Sequence, residues 1–171
     1  MPIESMQDLY LEELRDLYSA EQQIIKALPK MAEGAHNPEL RGAFQEHLRV
    51  THEQVRRLDS IFSELDQKPT GKKCKGMEGL IGEGRELLKE KADPDVKDAA
   101  LIAAAQKVEH YEIASYGTVR NYARQLGLTS HADLLQRTLD EEGETDKRLT
   151  SLAESGINDQ ALTGRPSGRA D

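Results

Sequence analysis

Six residues have the type and spacing to hold metal ions: Glu21, His52, Glu109, Glu112, Glu142 and Asp146. Each interrupts a line of apolar residues. Glu21 lies three after Tyr18 and three before Ile24, and His52 lies four after Leu48 and three before Val55. Glu112 lies four after Val108 and four before Tyr116, with Glu109 one turn away on the same side. Glu142 lies three after Leu139, and Asp146 stands four after Glu142 and three before Leu149. Steps of three and four mark one face of a helix. Burying several carboxylates together is very costly without compensation, and like charges push one another's pKa upward. A pair of divalent cations removes that conflict, and carboxylates with an imidazole suit iron or manganese. The expected cofactor is therefore iron, with manganese as the alternative, in a dinuclear site. Taken singly, each residue reads as structural, snorkelling or paired with Arg or Lys. The joint pattern favours a metal site, and a buried polar network is the competing reading.

The elements that carry these residues are helices. Leu and Ala number 21 and 17, Val and Ile only 5 and 8, and aromatics are 4%. Strands want β-branched and aromatic residues, whereas this composition suits helices. The first long segment starts near Ser5 and carries the line Leu14, Leu17, Ile24, Leu28, Met31; Pro29 is expected to kink it. Asn37 caps the second, with Pro38 at its first position and the line Leu40, Phe44, Leu48, Val55, Leu58, Phe62. After the basic loop KPTGKKCKG comes a short helix, about Met77 to Glu90. Asp93-Pro94 opens the third long segment and Gly127 ends it; Thr129 or Ser130 is expected to cap the fourth. Two short joints predict two antiparallel hairpins, and the long joint, Gln67 to Asp93, can carry the chain along the bundle. The expected architecture is an all-α four-helix bundle with one long crossover containing a short extra helix. Residues 1–155 form the bundle, and 156–171 are expected to be a disordered tail. Glu21 to His52 spans 31 residues and Glu112 to Glu142 spans 30, which sets the ligands at one level.

Charge and cysteine usage narrow the function classes. The net charge is −8, with 31 acidic and 23 basic residues. That disfavours nucleic acid and anionic membranes as partners, since both need cations on the protein. The single cysteine, Cys74, excludes an intramolecular disulfide and suits a reducing compartment. Its basic loop would lower its pKa. The first residues show no secretory signal, and the longest apolar run, 99–105, is far short of the ~20 residues a membrane span needs. A cytoplasmic protein is expected.

KDAALIAAAQKVEHYEIASYGT, residues 97–118, resembles the corresponding helix of the bacterial YciF/YciE stress-protein family. LRDLYSAEQQIIKAL, HLRVTH and GMEGLI are similar to other stretches of that family, and the resemblance runs to about Ala153. It implies a ferritin-like bundle with an extra helix, a dimer, and induction under osmotic or general stress. The ferritin-like ligand scheme takes one Glu from each of two helices and Glu-x-x-His from each of the other two. The resemblance assigns Glu21, the rubrerythrin-like pair Glu109-x-x-Glu112, Glu142 and His52 to it. Two positions depart. Arg49 stands where a Glu would precede His52, and Thr145 stands where a His would follow Glu142, with Asp146 as its substitute. An Arg49 beside the carboxylates would take part of a metal's charge.

His47, five before His52, reads as flanking; His36 and His131 read as surface caps; Tyr18 and Tyr116 read as core. Two functions compete. One is a di-metal protein reacting with peroxide or dioxygen, which needs an external reductant because the chain has no rubredoxin-like Cys cluster. The other is a non-enzymatic dimeric stress or interaction protein whose acids form a structural network. Storage in a closed shell is a third, for which no sequence basis is visible.

Overall fold

A computed structural model gives the fold, described for residues 2–163. These residues form α1 (Met6–Gly34), α2 (Pro38–Glu64), α3 (Lys75–Lys89), α4 (Pro94–Gln125), α5 (Thr129–Leu152), a π-turn at Ala153–Ile157, and α6 (Asn158–Thr163). Among the described residues there is no strand.

The helix starts follow their capping chemistry. The Ser5 hydroxyl accepts from the Asp8 N–H at 3.1 Å and donates to the Asp8 carboxylate. Asn37 accepts from Glu39 and Leu40, and Asp93 from Asp95 and Val96, each just before a first-turn proline. α1 continues through Pro29 to Gly34. α4 ends in a Schellman turn, with Gly127 at φ 72° and the Leu128 N–H on the Ala123 carbonyl at 2.9 Å. Neither Thr129 nor Ser130 caps α5, because Leu128 takes the N-cap position and makes no side-chain cap bond.

Side-chain contacts set the topology. The start of α4 meets the end of α1: buried Asp98 accepts from the His36 and Asn37 N–H groups at 2.8 and 2.6 Å. Gln106 reaches Thr150 at 2.8 Å and Arg120 reaches Gln136 at 2.7 Å, so α5 runs antiparallel to α4. The end of α2 meets the start of α5 through Glu64 and His131, 3.0 Å apart. α2 and α4 are therefore parallel, as a single long crossover requires.

α3 rides in that crossover against α1 and α4. Its approach to α4 is close: a Cβ at Gly76 would stand 2.8 Å from the Tyr111 ring. Cys74 is buried at its start, accepting from the Met77 N–H and 3.0 Å from the Tyr111 hydroxyl. Burial raises its pKa, so the lowered value expected from the basic loop is corrected.

Helical structure continues past Gly156 to Thr163, with Ala153 and Ile157 buried in the core. The disorder expected from residue 156 does not hold for 156–163; residues 164–171 lie outside the described residues. None of the described helices is long and apolar enough to cross a membrane.

Asp98 closes the α1–α2 joint from a third helix. Replacing it by Ala strands two backbone donors beside a buried site. We expect Asp98→Ala to cost about 2–4 kcal/mol, read as a lower urea midpoint with unchanged slope.

Candidate metal centre

The core falls into two apolar clusters. One gathers Ile24, Leu28, Phe44, Leu101, Ile102 and Leu149; the other gathers Tyr10, Leu14, Leu58, Phe62, Tyr116 and Leu135. Between them every long helix contributes buried polar residues: Glu21 from α1, His47, Thr51 and Gln54 from α2, Glu109 and Glu112 from α4, and Glu142 from α5. The four glutamates are 0% exposed and His47 is 4% exposed.

Donor atoms of His47, Glu109, Glu112 and Glu142 all lie within 4.8 Å of one another. His47 Nδ1 is 3.4 Å from a Glu109 oxygen, and Nε2 is 3.9 Å from a Glu142 oxygen. Glu21 is held from one side by the Tyr116 hydroxyl, which donates to its Oε1. The Gln54 amide donates to Glu142 Oε1. Counted as carboxylates, Glu109 and Glu112 have no donor on either oxygen, and Glu21 Oε2, Glu142 Oε2 and His47 Nε2 are also unpartnered.

Burial dominates the electrostatics. It holds the Glu21, Glu109 and Glu112 carboxyls well above the usual carboxylate range, and the charge of Glu142 adds to it for all three. Burial pushes Glu142 up to about 7, against the hydrogen bonds from Glu109 and Gln54. Burial lowers His47 to about 4, which keeps its imidazole neutral and its lone pair available at neutral pH. Without a cation the glutamates must share protons, Glu109 with Glu142 and Glu112 with Glu21.

The donor set fits a divalent cation. Two ligands about 2.2 Å from one ion stand at most about 4.4 Å apart, so small side-chain movements bring the four together. An ion there would satisfy the unpartnered oxygens and remove the like-charge conflict.

The matrix of known proteins agrees with this architecture. The family model described as domain of unknown function DUF892 matches residues 5–162. The chain belongs to the DUF892 family. It is 48% identical to Protein YciF of Escherichia coli (strain K12) over 162 residues, 94% of this chain and 98% of that protein. It is similar to the crystal structure of the E. coli stress protein YciF, with TM-score 0.87 and 45% identity over 95% of this chain and 100% of that one. YcfI from Rhodopseudomonas palustris gives TM-score 0.84 at 48% identity, over 87% of this chain and 95% of that one. A two-domain protein of Anabaena variabilis that contains a ferritin-like domain matches at TM-score 0.64 and 17% identity, covering 98% of this chain and 42% of that one, which bears on fold alone. The all-α ferritin-like fold expected from the sequence holds.

In this DUF892 chain Glu21, Glu109, Glu112 and Glu142 converge in the core, and His52 and Asp146 do not. His52 is exposed. The imidazole in the cluster is that of His47, which sequence reasoning set aside as flanking. Asp146 is 21% exposed and faces Gln106 at 3.1 Å and His110 at 3.3 Å. Arg49 is 65% exposed and pairs with Glu46 at 2.6 Å, so it neutralises no core carboxylate. His131 is buried between Tyr10 and Glu64 and is not a surface cap. Tyr116, read as core packing, also holds Glu21.

The α2 residues that face the α5 acids are an amide and a guanidinium. Gln54 donates to Glu142, and Arg57, three later, pairs with Glu141 at 2.6 Å. A signal for His47 was present: steps of four and three from Leu40 and Phe44 lead through 47, 51, 54 and 58, all buried. The expected consequence is a sharp contrast between two variants. His47→Ala should weaken manganese binding about tenfold or more, whereas His52→Ala should leave it unchanged, both read by titration of the metal-free protein.

Proposed function

We propose that this chain is a ferritin-like stress protein that holds iron, or manganese in its place, as a dinuclear centre between the two halves of its core. The observation that carries this reading is the set of buried glutamate oxygens and the His47 nitrogen that converge without partners. Glu109, Glu112, Glu142 and His47 would hold one ion, and the free oxygen of Glu21 extends the donor set toward a second. Iron, when bound, supplies the electron transfer that reaction with peroxide or dioxygen demands. The chain's own residues exclude bulk water, keep His47 neutral, and aim the Tyr116 hydroxyl at Glu21, which accepts its hydrogen bond. A reductant must come from outside, since Cys74 is the one cysteine of the chain. We propose a cytoplasmic homodimer as its working form.

A second reading has its own support. Thr145 stands where the ferritin-like scheme has a His after Glu142, and Gln54 and Tyr116 already bond two of the glutamates. In that reading the layer is a structural network in a non-enzymatic dimer. Elemental analysis of protein from iron- and manganese-supplemented cells separates the two. We expect metal in stoichiometric amounts, and a melting temperature higher by roughly 5–10 °C at a hundredfold excess of metal over its Kd. Metal at background level with no thermal shift overturns the metal reading; a peroxide turnover assay on the loaded protein then separates enzyme from binder.

A further inference from the structure

An apolar groove of about 200 Å³ opens between α1, α3 and α4. Met31, Leu80, Ile81, Leu88, Ala104 and Val108 line it. Its charged residues are Lys26, Lys30 and Arg85, with no Asp or Glu among the lining, on a chain of net charge −8. Among the described residues none of these three exposed cations has an ion-pair or hydrogen-bond partner.

Gly84 of α3 lies buried at the groove, and a Cβ added there would meet nothing within 4 Å. Glycine inside a helix costs about 1 kcal/mol relative to alanine, so α3 leaves open a space that a more helix-stable residue would fill. Behind the groove, a smaller cavity shares Ala27, Met31, Ile81 and Val108 with it and ends on His47 and Glu109. At about 200 Å³ the groove is smaller than the roughly 300–1,000 Å³ of a drug-sized ligand site, so it suits a small, slender apolar ligand.

We propose that this groove binds a medium-chain fatty carboxylate, its head on Lys26, Lys30 and Arg85 and its tail on the apolar lining, pointing toward the polar layer. A tail removed from water gains by apolar burial, and the three unpaired cations select the charge of the head. The binding goes beyond the metal reading and does not rest on it, so it is tested on the metal-free full chain.

The probes are decanoate, decanol and decyltrimethylammonium, followed by calorimetric titration. One decanoate per chain is expected to bind, decanol about tenfold more weakly, and decyltrimethylammonium not at all. Charge reversal by Lys26→Glu, Lys30→Glu and Arg85→Glu together should invert that order, a gain that unfolding cannot mimic. Gly84→Leu should abolish decanoate binding without lowering the melting temperature. Many decanoates per chain, no saturable binding, or an order unchanged by the reversal would overturn the proposal. So would a Gly84→Leu variant that leaves decanoate binding intact, or one that changes the oligomer mass by light scattering in a chain that binds no decanoate. The latter would mark the groove as a contact between copies.

Discussion

Metal-free protein carrying both Glu109→Gln and Glu112→Gln is expected to melt roughly 5–10 °C above the metal-free wild type at pH 8, and to bind no metal. Both side chains are 0% exposed, and as carboxylates neither has a hydrogen-bond donor. Burial and the charge of Glu142 oppose their ionisation. Glutamine keeps the shape, removes the charge, and brings an amide that can donate to Glu142 or Glu21. The relief is on the order of 3 kcal/mol for the pair, and each kcal/mol moves the melting point of a chain this size by about 2–4 °C. The same change removes two of the anionic ligands proposed for the ion, so stability of the metal-free protein and metal affinity should move in opposite directions. Differential scanning calorimetry and manganese titration on one preparation check both. A lower melting point would show that these carboxylates stabilise the empty bundle, and unchanged metal content would place the metal elsewhere.

Metal-free wild type should lose stability as pH rises from about 5 to 8, while the loaded protein resists that loss. The raised carboxyl pKa values mean that the folded chain keeps protons which the unfolded chain has released. Stability falls with pH wherever the native state holds more protons. For Glu142 the window runs from its ordinary 4.5 to about 7, a change of about 3 kcal/mol. His47 acts in the opposite sense. Its pKa is lowered from 6.5 to about 4, so between those values the unfolded chain holds the extra proton and stability rises with pH. That contribution is also about 3 kcal/mol, and it offsets Glu142. Glu21, Glu109 and Glu112 then decide the sign. A bound cation displaces these protons, so metal affinity grows with pH. Melting curves at pH 5, 6.5 and 8, with and without manganese, should diverge as pH rises. Parallel curves would show that the cluster carries neither the proton load nor the metal.

The fold was legible because its signals are local. Caps at Ser5, Asn37 and Asp93, first-turn prolines at Pro38 and Pro94, and Gly127 at the end of α4 bound the helices without tertiary help. Chain arithmetic also set the height of the centre. The α1–α2 and α4–α5 joints are equally short, so residues some 30 apart meet at one level, as Glu112 and Glu142 do. Four of the six candidate ligands are where that reasoning put them.

What the sequence left open was azimuth. One residue turns a helix by about 100°, so His52 is at the right height and faces solvent, while Thr51 beside it is fully buried. The apolar line through Leu48 and Val55 and the line through His47, Thr51 and Gln54 lie side by side on α2, and both are amphipathic solutions. Packing against α5 chose between them, because Gln54 and Arg57 find Glu142 and Glu141 there. The same holds for Arg49, which satisfies its charge with exposed Glu46 and so never enters the core. The sequence by itself determined the helices, their order and the level of the acid layer, since these follow from local propensity and chain length. Only the tertiary structure decided which face of α2 turns inward, because two nearly equal faces are separated by contacts that exist only once α5 has packed.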